Sequence, residues 1–240
     1  MPRFFTETID ENSAVISGDD AKHISKVLRM RIGESLTVCD CNGRDYDCVI
    51  EEVCEKQVNL KVKRSYLSES EPNIKVTLYQ AMPKSDKMEF IVQKAVELGV
   101  SVIVPVQTKR CVSRPDAKSM EKKLERYNRI AFEAAKQSGR GIIPKVLPML
   151  DFSQALEEMK NDEKAILFYE NSTSSFQKEL QNQVKSLSIM VGSEGGFEEE
   201  EVAKALENGI ASISLGKRIL RCETAPIAAL SVIMYQSGNM

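Results

Sequence analysis

Residue types that carry several common chemistries are scarce in this chain. Its 240 residues include no tryptophan and a single histidine, His23, and aromatic residues make up 6% of the sequence. A histidine-based catalytic triad is a poor candidate, because His23 lies in a segment without the turn that presents a nucleophile after a strand. With so few aromatic side chains, extensive stacking of nucleobases is not expected either.

The six cysteines do not form a recognisable metal or disulfide pattern. No two of them are spaced as CxxC, and the lone histidine leaves a zinc site without ligands. No apolar run approaches the ~18 residues of a membrane span, and the amino terminus lacks the pattern of a signal peptide. We therefore expect reduced thiols in a cytoplasmic protein that binds neither a metal nor a membrane.

Charge is distributed unevenly along a chain whose net charge is only -2. Residues 84–145 contain 14 Lys and Arg against 7 Asp and Glu, whereas residues 146–240 contain 8 against 14. A basic middle region can neutralise the phosphates of a nucleic acid. The helical spacing of Lys and Glu over residues 118–129 fits a solvated helix face equally well.

Composition and periodicity change near residues 68–73, a polar segment that contains proline. Before it, short β-prone runs are separated by turn signals such as Asn42-Gly43, and only residues 19–31 have helical spacing. After it, strands and helices alternate, which predicts a mostly parallel sheet covered on both faces. The sequence thus predicts an α/β protein with a small β domain, residues 1–67, and an α/β domain, residues 74–240. The helices predicted in the second domain span residues 86–98, 119–138, 174–184, 198–208 and 224–237.

Two loops of the second domain combine glycine with polar residues. Residues 192–197 and 215–225 each follow a predicted strand and precede a predicted helix, so they lie at strand carboxyl ends, where open α/β sheets bind ligands. Glycines in the first loop let a ligand approach the backbone closely. The loop is neither a Walker A motif nor GxGxxG, and the acidic run at 198–201 would repel phosphate. A tight turn without a ligand remains an alternative for the first loop alone.

These loops carry a family resemblance. Residues 192–197, GSEGGF, resemble the GPEGGF motif, and residues 215–225, LGKRILRCETA, resemble the LGxRILRxETA motif, of SPOUT-type ribosomal RNA methyltransferases. The similarity is greatest to the RsmE family, which methylates N3 of a uridine in 16S ribosomal RNA. Segments around residues 84–100, 133–144 and 23–29 extend it along the chain. Ser193 replaces the usual proline of the first motif, and Cys222 replaces a common threonine of the second.

The resemblance implies a fold, a cofactor and partners. It implies an amino-terminal PUA-like RNA-binding β-barrel and a carboxy-terminal SPOUT domain with a deep trefoil knot, assembled as a homodimer. The implied cofactor is S-adenosylmethionine, and the implied partner is 16S ribosomal RNA or the small ribosomal subunit. The cofactor-binding residues that it implies are Phe168, Tyr169, Glu170, Gly192, Ser193, Glu194, Gly195, Gly196, Leu215, Gly216, Ile219, Leu220, Arg221, Thr224 and Ala225.

The implied reaction is attack of uridine N3 on the methyl group of the cofactor, which needs no metal. The protein must align the two reactants and stabilise the anionic base. Arg221 is the expected charge stabiliser, and Glu194 is the expected proton acceptor or orienting group, with Glu223 as its rival. In the alternative interpretation, Glu194 only bonds loop amides and Arg221 only pairs with an acid.

RNA contacts are expected from basic residues on both domains. Separate basic groups suit recognition of a folded RNA through its shape and backbone. Two other functions remain open: a related methyltransferase acting on a ribose hydroxyl or on guanine, and a non-catalytic RNA-binding assembly factor. The expected contacts are Arg3, Arg29 and Arg31 on the first domain and Lys109, Arg110, Arg114 and Arg140 on the second.

Overall fold

The computed structural model describes residues 1–179 and 184–240, and its chain divides into two compact units. The first unit comprises Met1–Glu71 with Ala135–Ile143, and the second comprises Pro72–Ala134 with Pro144–Met240. The segment Ala135–Ile143 thus packs with the first unit, although its place in the sequence assigns it to the second domain. The first unit is therefore discontinuous in sequence, and the two predicted domains, each a single continuous range, do not include this feature.

The first unit is built on a five-stranded half-barrel sheet of order β1-β3-β4-β5-β2. β1 runs parallel to β3, and the remaining pairs are antiparallel. Alternate residues of these strands, such as Ile16, Leu36 and Leu60, are fully buried and form the core of the unit. β1 has only three residues, too few for alternation to reveal it in the sequence. The strands are β1 (Arg3–Phe5), β2 (Ser13–Ser17), β3 (Ser35–Cys39), β4 (Arg44–Val53) and β5 (Gln57–Leu67).

The helical stretch predicted for residues 19–31 is shorter and less regular in the structure. An α-helix, α1 (Gly18–Lys22), is followed by a π-helical turn, His23–Val27, and the chain leaves the helix at Arg29 with φ of 53°. Ile24 is buried as its spacing predicts, but Val27 is 66% exposed. The wider π-helical turn changes the angular spacing of side chains, so the later apolar residues do not reach the core.

The second unit contains a parallel sheet of order β12-β10-β11-β6-β7-β8, with β9 paired to β7. β10, β11 and β12 are the strands that position the site, because Phe168 pairs with both Val191 and Ile213 at their carboxyl ends. The segments that follow these strands therefore begin at one edge of the sheet. The strands are β6 (Lys75–Ala81), β7 (Val102–Gln107), β8 (Lys145–Val146), β9 (Leu150–Asp151), β10 (Lys164–Phe168), β11 (Ser186–Val191) and β12 (Ala211–Ile213).

Most helices of the second unit lie where the sequence predicts them. One was missed, Phe152–Met159, which has eight residues, buries Phe152 and Leu156, and begins with a capping box between Asp151 and Gln154. The prediction for residues 174–184 extends to 180–183, which lie outside the described residues. Among the described residues, no helix is long and apolar enough to cross a membrane. The helices after α1 are α2 (Lys87–Glu97), α3 (Ala117–Ser138), α4 (Phe152–Met159), α5 (Phe176–Glu179), α6 (Glu199–Glu207) and α7 (Thr224–Gln236).

Candidate active site

A cavity of about 590 Å³ opens at the carboxyl edge of β10, β11 and β12. Three segments that follow these strands form its walls, together with Lys87 from α2 and Ala225 from α7. Every residue expected to bind the cofactor lines this cavity except Thr224, which begins α7. The volume lies within the range of small-molecule sites, roughly 300–1,000 Å³. Strand register thus brings together loops that are far apart in the sequence.

The glycine-rich loop, residues 192–197, is folded too tightly to accept side chains at two of its glycines. A Cβ on Gly192 would lie 3.1 Å from Gly196 Cα, and a Cβ on Gly195 would lie 2.8 Å from Arg110 Cβ. Gly196 has φ of 66° and donates its N–H to the Ser193 carbonyl, which closes the turn. These glycines are therefore required by packing within the loop and against Arg110.

A basic loop, residues 108–114, supports the glycine-rich loop from outside the cavity. The Arg110 guanidinium donates to the Gly195 carbonyl at 3.1 Å and to Glu198 Oε2 at 3.0 Å. The ammonium of Lys109 pairs with Glu200. The backbone N–H of Lys109 donates to Glu201 Oε1 at 2.9 Å. The acidic run that follows the glycine-rich loop thus binds cations of the protein. Arg110, expected to contact RNA, has a structural partner here.

Lys87 joins two of the cavity walls. Its Nζ lies 2.9 Å from Glu194 Oε1 and 3.2 Å from Glu223 Oε2. The Glu194 carboxylate also accepts from the Lys84 backbone N–H, at 3.2 and 3.3 Å. The Cys222 thiol donates to Glu223 Oε2 at 3.2 Å. One ammonium therefore links the start of α2 to the glycine-rich loop and to the loop that precedes α7.

These contacts determine the protonation of the two carboxyl groups. Burial raises the pKa of Glu194, but the hydrogen bonds from Lys87 and from backbone N–H groups outweigh it and leave the pKa lowered. The pKa of Glu223 is lowered in the same way, with hydrogen bonds from Cys222 and Lys87 outweighing burial. Burial raises the pKa of the Cys222 thiol to about 12, so it stays neutral. Two ionised carboxylates with low proton affinity suit a positioning role better than general-base catalysis.

Arg221 differs from the other charged groups of the cavity. It lines the cavity, and no carboxylate in the described part of the chain forms an ion pair with its guanidinium. Its carbonyl accepts from the N–H groups of Thr224 and Ala225, in the first turn of α7. The alternative in which Arg221 only pairs with an acid finds no such acid here. The guanidinium is free to meet a ligand.

The apolar walls expected from Ile219 and Leu220 are only partly present. Leu220 is half-buried, but Ile219 is 87% exposed even though it borders the cavity. Ser193, which stands at the proline position of the motif, is buried, and its Oγ has no hydrogen-bond partner among the described residues. A polar group is thus left available at the cavity wall.

Lys87 is a site residue that the sequence analysis did not select. It belongs to the segment at residues 84–100 that carries part of the family resemblance, which was the available signal. No spacing argument relates residue 87 to residues 194 and 223, because the pairing of β6 with β11 and the packing of α2 against α7 bring them together. Within residues 1–179 and 184–240, no group of three or more His, Cys, Asp or Glu side chains is placed to hold a metal.

The basic residues expected to bind RNA fall into two groups. Arg29 and Arg31 are exposed on the first unit, whereas Arg3 pairs with Asp45 at 2.8 Å. The Arg140 side chain is only 3% exposed and pairs with Glu71 at 2.9 Å. The placement of Arg140 on the second domain is therefore corrected: this arginine packs in the first unit, where its buried side chain pairs with Glu71. Arg114 is exposed, with its guanidinium donating to the carbonyls of Cys111 and Lys109.

The chain matches known proteins over its whole length. Residues 69–234 match the RNA methyltransferase domain family, and residues 16–63 match the RNA methyltransferase PUA domain family. Ribosomal RNA small subunit methyltransferase E of Bacillus subtilis is 36% identical, over 99% of this chain and 97% of the relative. The protein of the same name from Buchnera aphidicola of Acyrthosiphon pisum is 30% identical, over 100% and 95%.

A solved structure agrees with these sequence matches. The crystal structure of ribosomal RNA small subunit methyltransferase E from Neisseria gonorrhoeae, bound to S-adenosyl methionine, superposes with a TM-score of 0.86 at 31% identity, covering 98% of this chain and 97% of that one. The fold is thus a PUA domain followed by an α/β SPOUT methyltransferase domain. The chain belongs to the ribosomal RNA small subunit methyltransferase E family of RNA methyltransferases.

Proposed function

We propose that this protein uses S-adenosylmethionine to methylate N3 of a uridine in 16S ribosomal RNA, in the cytoplasm. The observation that carries the proposal is the meeting of three strand-end segments in one cavity bordered by Arg221. Family membership supports the methyltransferase reaction, and the names of the relatives support the small-subunit RNA as substrate.

The residues of the cavity fit the cofactor. Its volume of about 590 Å³ suits a nucleoside joined to an amino acid, and the close-packed glycines keep the cavity clear of side chains. The buried Ser193 hydroxyl supplies an unused polar group, and Leu215 and Leu220 supply apolar contacts. When bound, the cofactor supplies an activated methyl group. The segments that would hold it are residues 168–170, 192–196 and 215–225.

The charged residues of the cavity have separate roles in the reaction. Arg221 stabilises the negative charge that develops on the uracil ring, because a nearby guanidinium favours the deprotonated imide. Glu194 and Glu223 remain ionised beside Lys87 and orient the loops. Neither has the proton affinity of a base that works near neutral pH, so we assign the imide proton to solvent.

RNA recognition is proposed for the PUA domain, residues 1–67, and for the 108–114 loop. Arg29 and Arg31 are exposed beside the π-helical turn and are available to phosphates. On the second unit, Lys109, Arg110 and Arg114 hold loop carbonyls and glutamates, so any phosphate contact there is shared with these partners. Recognition through several backbone contacts suits a folded RNA.

A homodimer is proposed from the surface of the second unit. α7 contains no charged residue, and Tyr235 at its end is 74% exposed. On α2, which packs against α7, Phe90 is 46% exposed. Because a surface helix in contact with water normally carries a charged face, we assign this face to a second copy of the chain. Sedimentation equilibrium tests the assignment, and a monomer at micromolar concentration would contradict it.

The reaction is tested by incubating the protein with cofactor labelled on its methyl group and with either free 16S ribosomal RNA or assembled small subunits. Nuclease digestion and mass spectrometry then locate the label. Label on N3 of uridine supports the proposal, and the more strongly labelled substrate is the physiological one. Label on a ribose hydroxyl or on guanine would assign a different methyl transfer. No label on either substrate, with RNA still bound, would indicate an assembly factor.

A further inference from the structure

Lys87 is the point at which two cavity-lining loops meet. Its ammonium contacts Glu194 in the glycine-rich loop and Glu223 at the start of α7. We propose that Lys87 is a positioning residue for methyl transfer, whose single ammonium holds one carboxylate from each loop and thereby maintains the shape of the cavity. The inference rests on the assignment of the cofactor to this cavity.

The geometry distinguishes this contact from an ordinary surface ion pair. The side chains of Lys87, Glu194 and Glu223 are 31%, 27% and 21% exposed, so all three are partly shielded from water. Exposed pairs of single long side chains contribute little to stability because solvent screens them. Here one cation serves two anions, and Glu194 is held a second time by the Lys84 backbone N–H. The start of α2 therefore anchors both loops.

Loss of the ammonium has a predictable electrostatic consequence. Glu194 and Glu223 both lie within 3.2 Å of Lys87 Nζ, so they are close neighbours that share one counter-ion. The other groups that face them are the Cys222 thiol, which is neutral, and the Lys84 backbone N–H. Without Lys87, the two like charges repel each other, and a proton taken up by one of them relieves the repulsion. The loops should then separate at high pH and approach each other at low pH.

The test measures binding of S-adenosylhomocysteine by calorimetry from about pH 5.5 to about pH 8, because this probe has a neutral sulfur. Its α-amino group begins to titrate near the upper end of this range, so each variant is compared with wild type at the same pH. Lys87→Met should bind at least about tenfold more weakly near pH 8 and should recover part of the loss near pH 5.5. Lys87→Arg keeps the charge and should stay within about threefold of wild type.

Lys94→Met is the matched control. Lys94 lies on the same helix and pairs with Glu97, and neither residue lines the cavity. This variant should bind the probe like wild type at every pH. A second comparison uses Lys87→Met combined with Glu223→Gln, in which one of the two like charges is removed. The double variant should regain part of the affinity that Lys87→Met loses near pH 8, without the recovery at low pH.

The outcomes separate this inference from the proposed function. Wild-type affinity in Lys87→Met at all pH values would overturn it. A loss that is the same at every pH and is not relieved by Glu223→Gln would also overturn it, because packing of the lysine stem would then suffice. If Lys87→Met does not fold, Glu223→Gln alone decides: binding weakened by about threefold or more supports the inference, and unchanged binding refutes it. Failure of wild type to bind would refute the cofactor assignment itself.

Discussion

Nη1 of Arg110 donates a hydrogen bond to the Gly195 carbonyl at 3.1 Å, and a Cβ on Gly195 would lie 2.8 Å from Arg110 Cβ. The first contact holds the glycine-rich loop, and the second explains why residue 195 has no side chain. Because Arg110 Cβ is close to its own backbone, it cannot move aside without moving the 108–114 loop. The shape of the cavity therefore depends on a loop that does not line it.

Gly195→Ala should distort the glycine-rich loop. Overpacking of this kind costs about 1–3 kcal/mol of unfolding free energy. We expect urea unfolding to show a loss in this range and calorimetry to show weaker S-adenosylhomocysteine binding. Glu199→Ala, an exposed position in the first turn of α6, is the control: it should cost less than about 1 kcal/mol, through the helix dipole, and leave binding unchanged. Normal binding by a fully stable Gly195→Ala protein would contradict this prediction, because the loop would then accommodate the added methyl group without loss of stability or affinity.

Arg221→Ala should abolish methyl transfer while largely preserving cofactor binding. Loss of one charge-stabilising group costs about 10²–10³-fold in kcat. Single-turnover kinetics measures the rate, and calorimetry with S-adenosylhomocysteine measures binding, which should stay within about threefold of wild type. Arg218→Ala, which removes a second guanidinium that borders the cavity, should have a much smaller effect on the rate. Wild-type turnover in Arg221→Ala would show that Arg221 does not stabilise the developing charge.

Glu71→Gln should destabilise the first unit. Glu71 pairs with Arg140, whose side chain is 3% exposed, and also accepts from the N–H groups of Gly141 and Ile142. Removing one partner of a buried pair costs about 3–5 kcal/mol. Urea unfolding should show this loss at neutral pH, and Glu69→Gln, an exposed neighbour, should show none.

The Glu71 variant should also differ from wild type in its response to acid. Burial raises the pKa of Glu71, but hydrogen bonds from Arg140 and from backbone N–H groups outweigh it, so the folded-state pKa lies below the ordinary value of 4.5. The stabilisation is therefore complete above pH 4.5 and is lost as the pH falls through the folded-state pKa. The difference between the two proteins should shrink in acid. A constant difference would locate the effect elsewhere.

Arg29→Glu should weaken RNA binding and reduce its dependence on salt. A lost phosphate contact lowers the slope of log affinity against log salt by roughly 0.9. Filter binding over a salt series measures both quantities, and Lys56→Glu, an exposed lysine in the turn before β5, controls for net charge. If Arg29→Glu and Lys56→Glu behave alike, binding near Arg29 is only a response to overall charge.

Local sequence patterns determined much of this protein. Alternation and helical spacing located most strands and helices, because each side of an element faces either the core or water. Glycine content and strand-end position selected the loops at residues 192–197 and 215–225, and the family motifs assigned them to a methyltransferase. The short elements β1 and α4 were not predicted, because too few residues carry the pattern.

Only the tertiary structure decided which distant residues meet. The fold places Lys87 beside Glu194 and Glu223. It also places Arg140 in the first unit, where it pairs with Glu71. Such contacts depend on long-range packing and on the burial of charge, neither of which has a period in the sequence. The sequence therefore identified most residues of the site. The charge state and the partners of these residues depended on the fold.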